Sequence, residues 1–107
     1  MLKFVVVLRR KPDWTHERFR EYFVSVHGPL ARKIPGLRRY KQNFPAPDAK
    51  REPPEWDAVI ELYFDGKEAM ESAWDSEEGR AATSDLDVFA DRSRSSWSVV
   101  DEITVIA

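Results

Sequence analysis

The stretch Trp56–Phe64, WDAVIELYF, alternates between two kinds of side chain. A β-strand points successive side chains to opposite faces, so a repeat of two residues predicts a strand. One face would be wholly apolar, with Trp56, Ala58, Ile60, Leu62 and Phe64. The other face would be mixed, with Asp57, Val59, Glu61 and Tyr63. The apolar face therefore needs helices packed over it.

The residues before this strand predict two more strands and an interrupted helix. Phe4–Leu8 is a continuous apolar run of the kind found in strands that are covered on both faces. Thr15 is a favourable N-cap for a helix that runs to about Val26 or His27. There Gly28-Pro29 interrupts it, and a short helical piece, Leu30–Ile34, follows. Next in order come a strand, Leu37–Phe44, and a proline-rich loop, Pro45–Glu55.

The residues after Phe64 predict a second helix and a closing strand. Asp65–Glu68 resembles a capping box, and the helix after it has an inward stripe of Ala69, Met70, Ala73 and Trp74. Ser76-Glu77-Glu78 is expected to start a shorter helical turn. Trp97–Ile106 predicts the fourth strand, so the order of elements is βαββαβ.

This order is typical of the ferredoxin-like plan, an α+β fold whose antiparallel four-stranded sheet has both helices on one face. Its other face would carry a mixture of apolar and charged groups: Val5, Val7, Val59 and Tyr63 beside Lys3, Arg9, Asp57 and Glu61. Because that face is too apolar for water, we expect a second copy to cover it and form a dimeric α/β barrel, a homodimer. Asp57 and Glu61 are interpreted as structural partners of Lys3 or Arg9.

Composition restricts the class of protein. The chain has 107 residues, enough for one core, so we expect a single domain over residues 1–107. A net charge of −2 disfavours nucleic acid as a partner, and the apolar start is too short to span a membrane. Zero cysteines exclude disulfides and thiolate chemistry and fit a cytoplasmic location.

His27 lies on the apolar stripe of the first predicted helix, which also carries Phe19, Tyr22, Phe23, Val26 and Leu30. A histidine that is partly removed from water can accept or donate a proton near neutral pH. A histidine near a helix end can instead cap the last carbonyls or satisfy a core hydrogen bond. Spacing alone favours the second, structural interpretation.

Several strings in this chain are similar to a known family. They are the run from Met1 through the first helix, HGPL at His27–Leu30, IPGLRRYKQN at Ile34–Asn43, and WDAVIELYF at Trp56–Phe64. Together they resemble the EthD family of dimeric α/β-barrel proteins along nearly the whole chain. Phe23, where many relatives carry tryptophan, and the long Pro45–Pro54 loop depart from the pattern.

The resemblance implies a small cavity inside each subunit, between helices and sheet, with His27 matching the histidine of the family's His-Gly-Pro stretch. Tyr40, Asn43, Asp57 and Glu61 match positions in its strand motifs. We therefore predict His27 and Tyr40 as catalytic residues. The predicted substrate-binding residues are Phe4, Phe23, Val26, Trp56, Ala58, Ile60, Trp74 and Phe89, each of which ordinary core packing would also explain.

The family and its barrel relatives include muconolactone isomerases and cofactor-free cyclases, dehydratases and decarboxylases. The resemblance therefore implies a cofactor-independent enzyme that moves a proton on a small apolar or aromatic carbonyl compound. A hydrophobic-metabolite-binding or accessory protein is the alternative, and a haem-binding or cofactor-free oxygenase is a third. No metal site is expected, because His16 and His27 are not at helical ligand spacing.

Overall fold

The sheet consists of four antiparallel strands. In this computed structural model, which describes residues 1–107, they are β1 (Leu2–Leu8), β2 (Arg39–Asn43), β3 (Ala58–Phe64) and β4 (Ser96–Val100). Their order in the sheet is β2-β3-β1-β4, and Leu2 of β1 lies opposite Phe64 of β3. The two central strands are the most apolar, as expected of strands with neighbours on both sides. The ferredoxin-like α+β architecture predicted from the sequence is confirmed.

Helices cover one face of this sheet. They are α1 (His16–Tyr22), a π-helical segment (Phe23–His27), α2 (Gly28–Arg32), α3 (Lys67–Asp75), α4 (Glu77–Phe89) and a short 3₁₀ turn (Arg92–Arg94). The helix-facing side chains of β3, namely Ala58, Ile60, Leu62 and Phe64, are all buried. No helix is both long enough and apolar enough to cross a membrane.

The first helix is not broken at Gly28-Pro29, contrary to the sequence prediction. Thr15 Oγ1 accepts the Arg18 N–H at 3.1 Å and caps α1 as expected. The chain then passes through the π-helical turn, in which the Gly28 N–H bonds to the Phe23 carbonyl, and continues as α2. Pro29 lies at the start of α2, directly after the π-helical turn in which the backbone hydrogen bonds change register.

The second half of the chain differs from the prediction at three places. α4 has 13 residues rather than a short turn, with Ser76 Oγ accepting the Gly79 N–H at 2.9 Å as its cap. No capping box forms, because Asp65 pairs with Arg38 at 2.9 Å and the N-cap of α3 is Gly66. β4 ends at Val100 instead of Ile106.

The open face of the sheet carries the predicted valines and the predicted pair of Lys3 and Glu61, but not the predicted pair of Asp57. Val5, Val7 and Val59 are only partly buried there, and Lys3 Nζ lies 2.8 Å from Glu61 Oε1, as predicted. The prediction for Asp57 was wrong. Its carboxylate accepts the Arg10 backbone N–H at 2.8 Å and lies 3.0 Å from His16 Nδ1, because it precedes β3 and faces the start of α1.

Gly79 is required where α3 meets α4. A Cβ at this position would lie 1.9 Å from the Ala73 carbonyl oxygen, which is backbone and cannot rotate away. We predict that Gly79→Ala lowers the free energy of unfolding by about 3 kcal/mol, measured by urea denaturation. Gly66→Ala is the control, since a Cβ there meets nothing within 4 Å. Equal stability of the two variants would contradict this packing.

Candidate functional site

A cavity of about 530 Å³ lies between the helices and the sheet. Its floor consists of helix-facing side chains of the central strands, among them Phe4, Val6 and Ile60. Most of the lining is apolar, and Trp74 of α3 forms an aromatic wall that contacts Phe4 edge-on at 5.5 Å. A hollow of this size and polarity is typical of sites for small organic ligands.

The structure brings together part of the predicted site. Six predicted residues line the cavity: Phe4, Phe23, His27, Tyr40, Ile60 and Trp74. The remaining four do not line it: Val26, Trp56, Ala58 and Phe89.

Each of these four has a physical reason to lie elsewhere. Val26 is 43% exposed, because the π-helical turn changes the phase of the helix and rotates it outward. Trp56 precedes β3, so the strand alternation does not extend to it. Ala58 is fully buried at the end of the sheet opposite Leu8, and Phe89 is fully buried beneath His27.

The π-helical segment and the aromatic core position His27. The imidazole is 6% exposed, and its ring centroid lies 5.1 Å from that of Phe23 and 5.3 Å from that of Phe89. Phe89 also packs against Tyr22 and Phe23, at 4.9 and 5.0 Å between centroids. These contacts fix the plane of the imidazole and leave one edge of the ring on the cavity.

Asp85 of α4 determines which nitrogen of His27 carries the proton. Its Oδ2 lies 3.0 Å from His27 Nδ1, and its Oδ1 accepts the Tyr22 hydroxyl at 2.7 Å. A carboxylate only accepts hydrogen bonds, so Nδ1 is the protonated nitrogen. Nε2 has no hydrogen-bond partner within the chain, and its lone pair is available to a ligand.

Burial and the Asp85 carboxylate act in opposite directions on His27. Burial, the larger effect, lowers the pKa of His27 below its ordinary value of 6.5, while the hydrogen bond and charge of Asp85 raise it. The imidazole is therefore neutral at pH 7. Burial and Asp85 together raise the pKa of Tyr22 to about 12, so its phenol keeps its proton and its hydrogen bond to the carboxylate.

Tyr40 lies on the helix-facing side of β2 and is held by Gln42. Gln42 Nε2 donates to the Tyr40 hydroxyl and to the Phe23 carbonyl, both at 3.1 Å. A Cβ at Gly28 would lie 3.3 Å from this amide, so glycine allows its close approach. Burial raises the pKa of Tyr40 to about 12, and its phenol is a hydrogen-bond donor throughout the physiological pH range.

Sequence reasoning missed Asp85 and Gln42. Asp85 falls on the inward stripe of α4 with Ala82 and Phe89. A carboxylate at an inward helical position is the pattern that could have indicated a functional residue there. Gln42 is two residues from Tyr40 and therefore shares its face of β2. The chain presents no group of three or more His, Cys, Asp or Glu side chains that could hold a metal ion.

Comparison with known proteins identifies the family. The model of the EthD domain matches residues 11–93. The chain belongs to the EthD family. An uncharacterized 11.0 kDa protein in the thcB-thcC intergenic region of Rhodococcus erythropolis is 33% identical over 72 residues, which are 67% of this chain and 69% of that protein. The family resemblance found in the sequence is therefore confirmed.

Solved structures share the fold of this EthD protein. An EthD family protein from Bacillus halodurans is 28% identical with a TM-score of 0.80, covering 96% of this chain and 100% of that one. A dimeric ferredoxin-like protein of unknown function from Thermobifida fusca is 16% identical, with a TM-score of 0.72 and coverages of 94% and 90%. SnoaB, a cofactor-independent oxygenase from Streptomyces nogalater, is 12% identical, with a TM-score of 0.65 and coverages of 98% and 95%. These last two likenesses show the fold alone.

The contact between Asp85 and His27 makes a testable prediction about the imidazole. Because the Asp85 charge raises the pKa of His27 against the effect of burial, Asp85→Asn will lower that pKa further. Titration of the ring nitrogens by ¹⁵N NMR measures it. Asp87→Asn on the same helix, whose carboxylate pairs with Arg92 instead, will leave the pKa unchanged. A rise in the His27 pKa in Asp85→Asn would contradict the assigned effect of the Asp85 charge on the imidazole.

Proposed function

We propose that this EthD protein is a cofactor-independent enzyme that transfers a proton within a small, flat, largely apolar carbonyl compound. The proposal depends on one observation: a neutral imidazole, oriented by a buried carboxylate at 3.0 Å, lines an apolar cavity of about 530 Å³. A base, its orienting group and a binding volume are thus in one place, the arrangement that general acid-base catalysis requires.

His27 Nε2 is the proposed base. It removes a proton from the carbon next to the carbonyl group, and the electron pair of the broken C–H bond moves onto the carbonyl oxygen as an enolate. Asp85 stabilises the imidazolium that forms, and the Tyr40 hydroxyl donates a hydrogen bond to the enolate oxygen. Return of the proton to a different carbon, or to a leaving hydroxyl, gives isomerisation or dehydration without any oxidant.

The apolar lining supports this chemistry. Water is a competing base and acid, and an apolar cavity excludes it while strengthening the electrostatic interactions within. Cofactor-independent catalysis occurs on this fold in SnoaB, which is described as an oxygenase. Fold likeness does not transfer a reaction, so the proposal depends on the His27 site.

We further propose that the protein functions as a homodimer joined through the open sheet face. Val5, Val7 and Val59 form an apolar strip there, and Lys3 and Glu61 form an ion pair beside it. A strip of this kind is stabilised by a second copy related by two-fold symmetry. The dimeric Thermobifida fusca protein of the same fold supports this arrangement.

Exchange of carbon-bound hydrogen with solvent tests the proposed base without knowledge of the natural substrate. In D₂O, the protein is expected to accelerate loss of the α-proton NMR signals from a panel of flat ketones led by 2-tetralone. His27→Gln should reduce the accelerated rate by ~10²- to 10⁴-fold, the usual contribution of general acid-base catalysis. His16→Gln is the control, because His16 is exposed and does not line the cavity.

Two outcomes would change this assignment. Exchange by His27→Gln at the parent rate would remove His27 from the mechanism. Binding of the ketones to the parent protein with no exchange would instead favour the non-catalytic role, a protein that binds a hydrophobic metabolite or assists an oxygenase.

The pH dependence of the exchange has a defined direction. Neutral His27 is the base, and burial lowers its pKa below 6.5, so the rate should fall as the pH decreases, with a midpoint below 6.5. Rates measured in buffers of constant ionic strength give the midpoint. A midpoint above 6.5 would contradict a base whose pKa is lowered by burial.

A charge on the open face should separate the dimer. Val7→Glu places a carboxylate opposite Val59, where a facing copy would bury it unpaired at a cost on the order of 3 kcal/mol. Light scattering coupled to size-exclusion chromatography should then report a monomer. Val88→Glu on the outer face of α4, where Val88 is 46% exposed, is the control and should remain dimeric. A dimeric Val7→Glu variant would place the interface elsewhere.

A further inference from the structure

One wall of the cavity is polar, in contrast to the rest of its lining. Arg80, Thr83 and Ser84 project from α4, Arg92 follows from the 3₁₀ turn, and all four line the cavity. Arg80, Thr83 and Ser84 are exposed to solvent, so we take this wall as the mouth of the cavity. His27, by contrast, is 6% exposed and belongs to the interior.

Arg80 has no partner for its charge. It forms no ion pair and no side-chain hydrogen bond, although Glu77 and Glu78 lie on the same helix. Arg80 is exposed at the edge of the cavity, so its guanidinium is free to approach the charged group of a ligand. Ser84 next to it also leaves its hydroxyl without a partner in the chain.

The guanidinium of Arg92 uses only part of its hydrogen-bonding capacity within the chain. Its Nη2 donates to the Thr83 carbonyl at 2.9 Å, which holds the guanidinium against α4. Its Nε lies 3.1 Å from Asp87 Oδ1, but it is buried and makes no hydrogen bond of acceptable geometry. Nη1 has no hydrogen-bond partner within the chain, and it is the donor of Arg92 that a ligand in the cavity could use.

We infer that the ligand of this cavity is an aromatic or alicyclic carboxylate, whose anionic group lies at the mouth between Arg80 and Arg92 while its apolar body extends toward His27. The inference rests on the proposed function and specifies its substrate class. A planar guanidinium matches the two oxygens of a carboxylate, and Asp87 offsets part of the local charge, so a singly charged group suits the pair. The apolar lining between mouth and imidazole excludes a second charge near the reacting carbon.

Two isosteric probes test the inference by isothermal titration calorimetry on the full-length protein. 2-Naphthoate and 2-naphthamide have the same shape and differ in charge. The protein should bind the acid at least about tenfold more tightly than the amide, and the preference should decrease as salt screens the exposed mouth. Arg80→Gln/Arg92→Gln should abolish the preference and leave the affinity for the amide unchanged.

Two further variants control for folding and net charge. Arg80→Gln alone removes no contact within the protein and should still reduce the preference by about threefold or more. Lys50→Gln/Arg51→Gln lowers the net charge by the same amount in the exposed loop and should retain the full preference.

The outcomes separate this inference from the proposed function. Equal affinity for the two probes, or a preference that survives in Arg80→Gln/Arg92→Gln, overturns the carboxylate assignment while leaving proton transfer by His27 intact. A carboxylate preference in a protein that exchanges no α-protons overturns only the proposed reaction. Failure of both probes to bind overturns the carboxylate assignment and the small-ligand site together.

Discussion

The geometry of this molecule depends on the Asp85 carboxylate. One oxygen accepts from the Tyr22 hydroxyl at the end of α1, and the other bonds to His27, which is 58 residues away in sequence. A buried carboxylate without such donors would cost several kcal/mol, so these bonds hold α4 against the first helix. The same bonds leave Nε2 as the basic nitrogen. The Asp85 carboxylate is therefore needed both for the packing of α4 and for the proposed role of His27.

The π-helical turn is the second constraint. With the longer turn, Phe23 and His27 both face inward and Val26 faces solvent. The turn also leaves the Phe23 carbonyl accessible to the Gln42 amide, which in turn holds the Tyr40 hydroxyl. A regular α-helix would also direct His27 inward but would hold Val26 closer to the core, so the longer turn mainly rotates Val26 toward solvent. π-helical turns are frequently found at functional sites because they redirect side chains in this way.

The sequence predicted the strands and the position of His27 but not its partner. Strand alternation is a local property, visible in WDAVIELYF itself, and it defined the helix-facing side of β3 correctly. α4 was underestimated because its inward positions, Gly79, Ala82 and Asp85, are small or charged, so its pattern is not that of an apolar stripe. Contacts between residues distant in sequence, such as His27 with Asp85, follow from tertiary packing and leave no local periodicity.

The chemistry that we propose depends on the polarity of the cavity lining. Moving inward from the mouth, a ligand passes from exposed guanidinium groups to apolar walls and then to a neutral imidazole. A charge at the mouth retains most of its hydration, whereas a charge beside His27 would not. Desolvation therefore adds to the proposed pairing with Arg80 and Arg92, and both favour a ligand whose apolar end lies inward. In the reaction that we propose, this orientation would bring a neutral C–H group of the ligand to His27 Nε2.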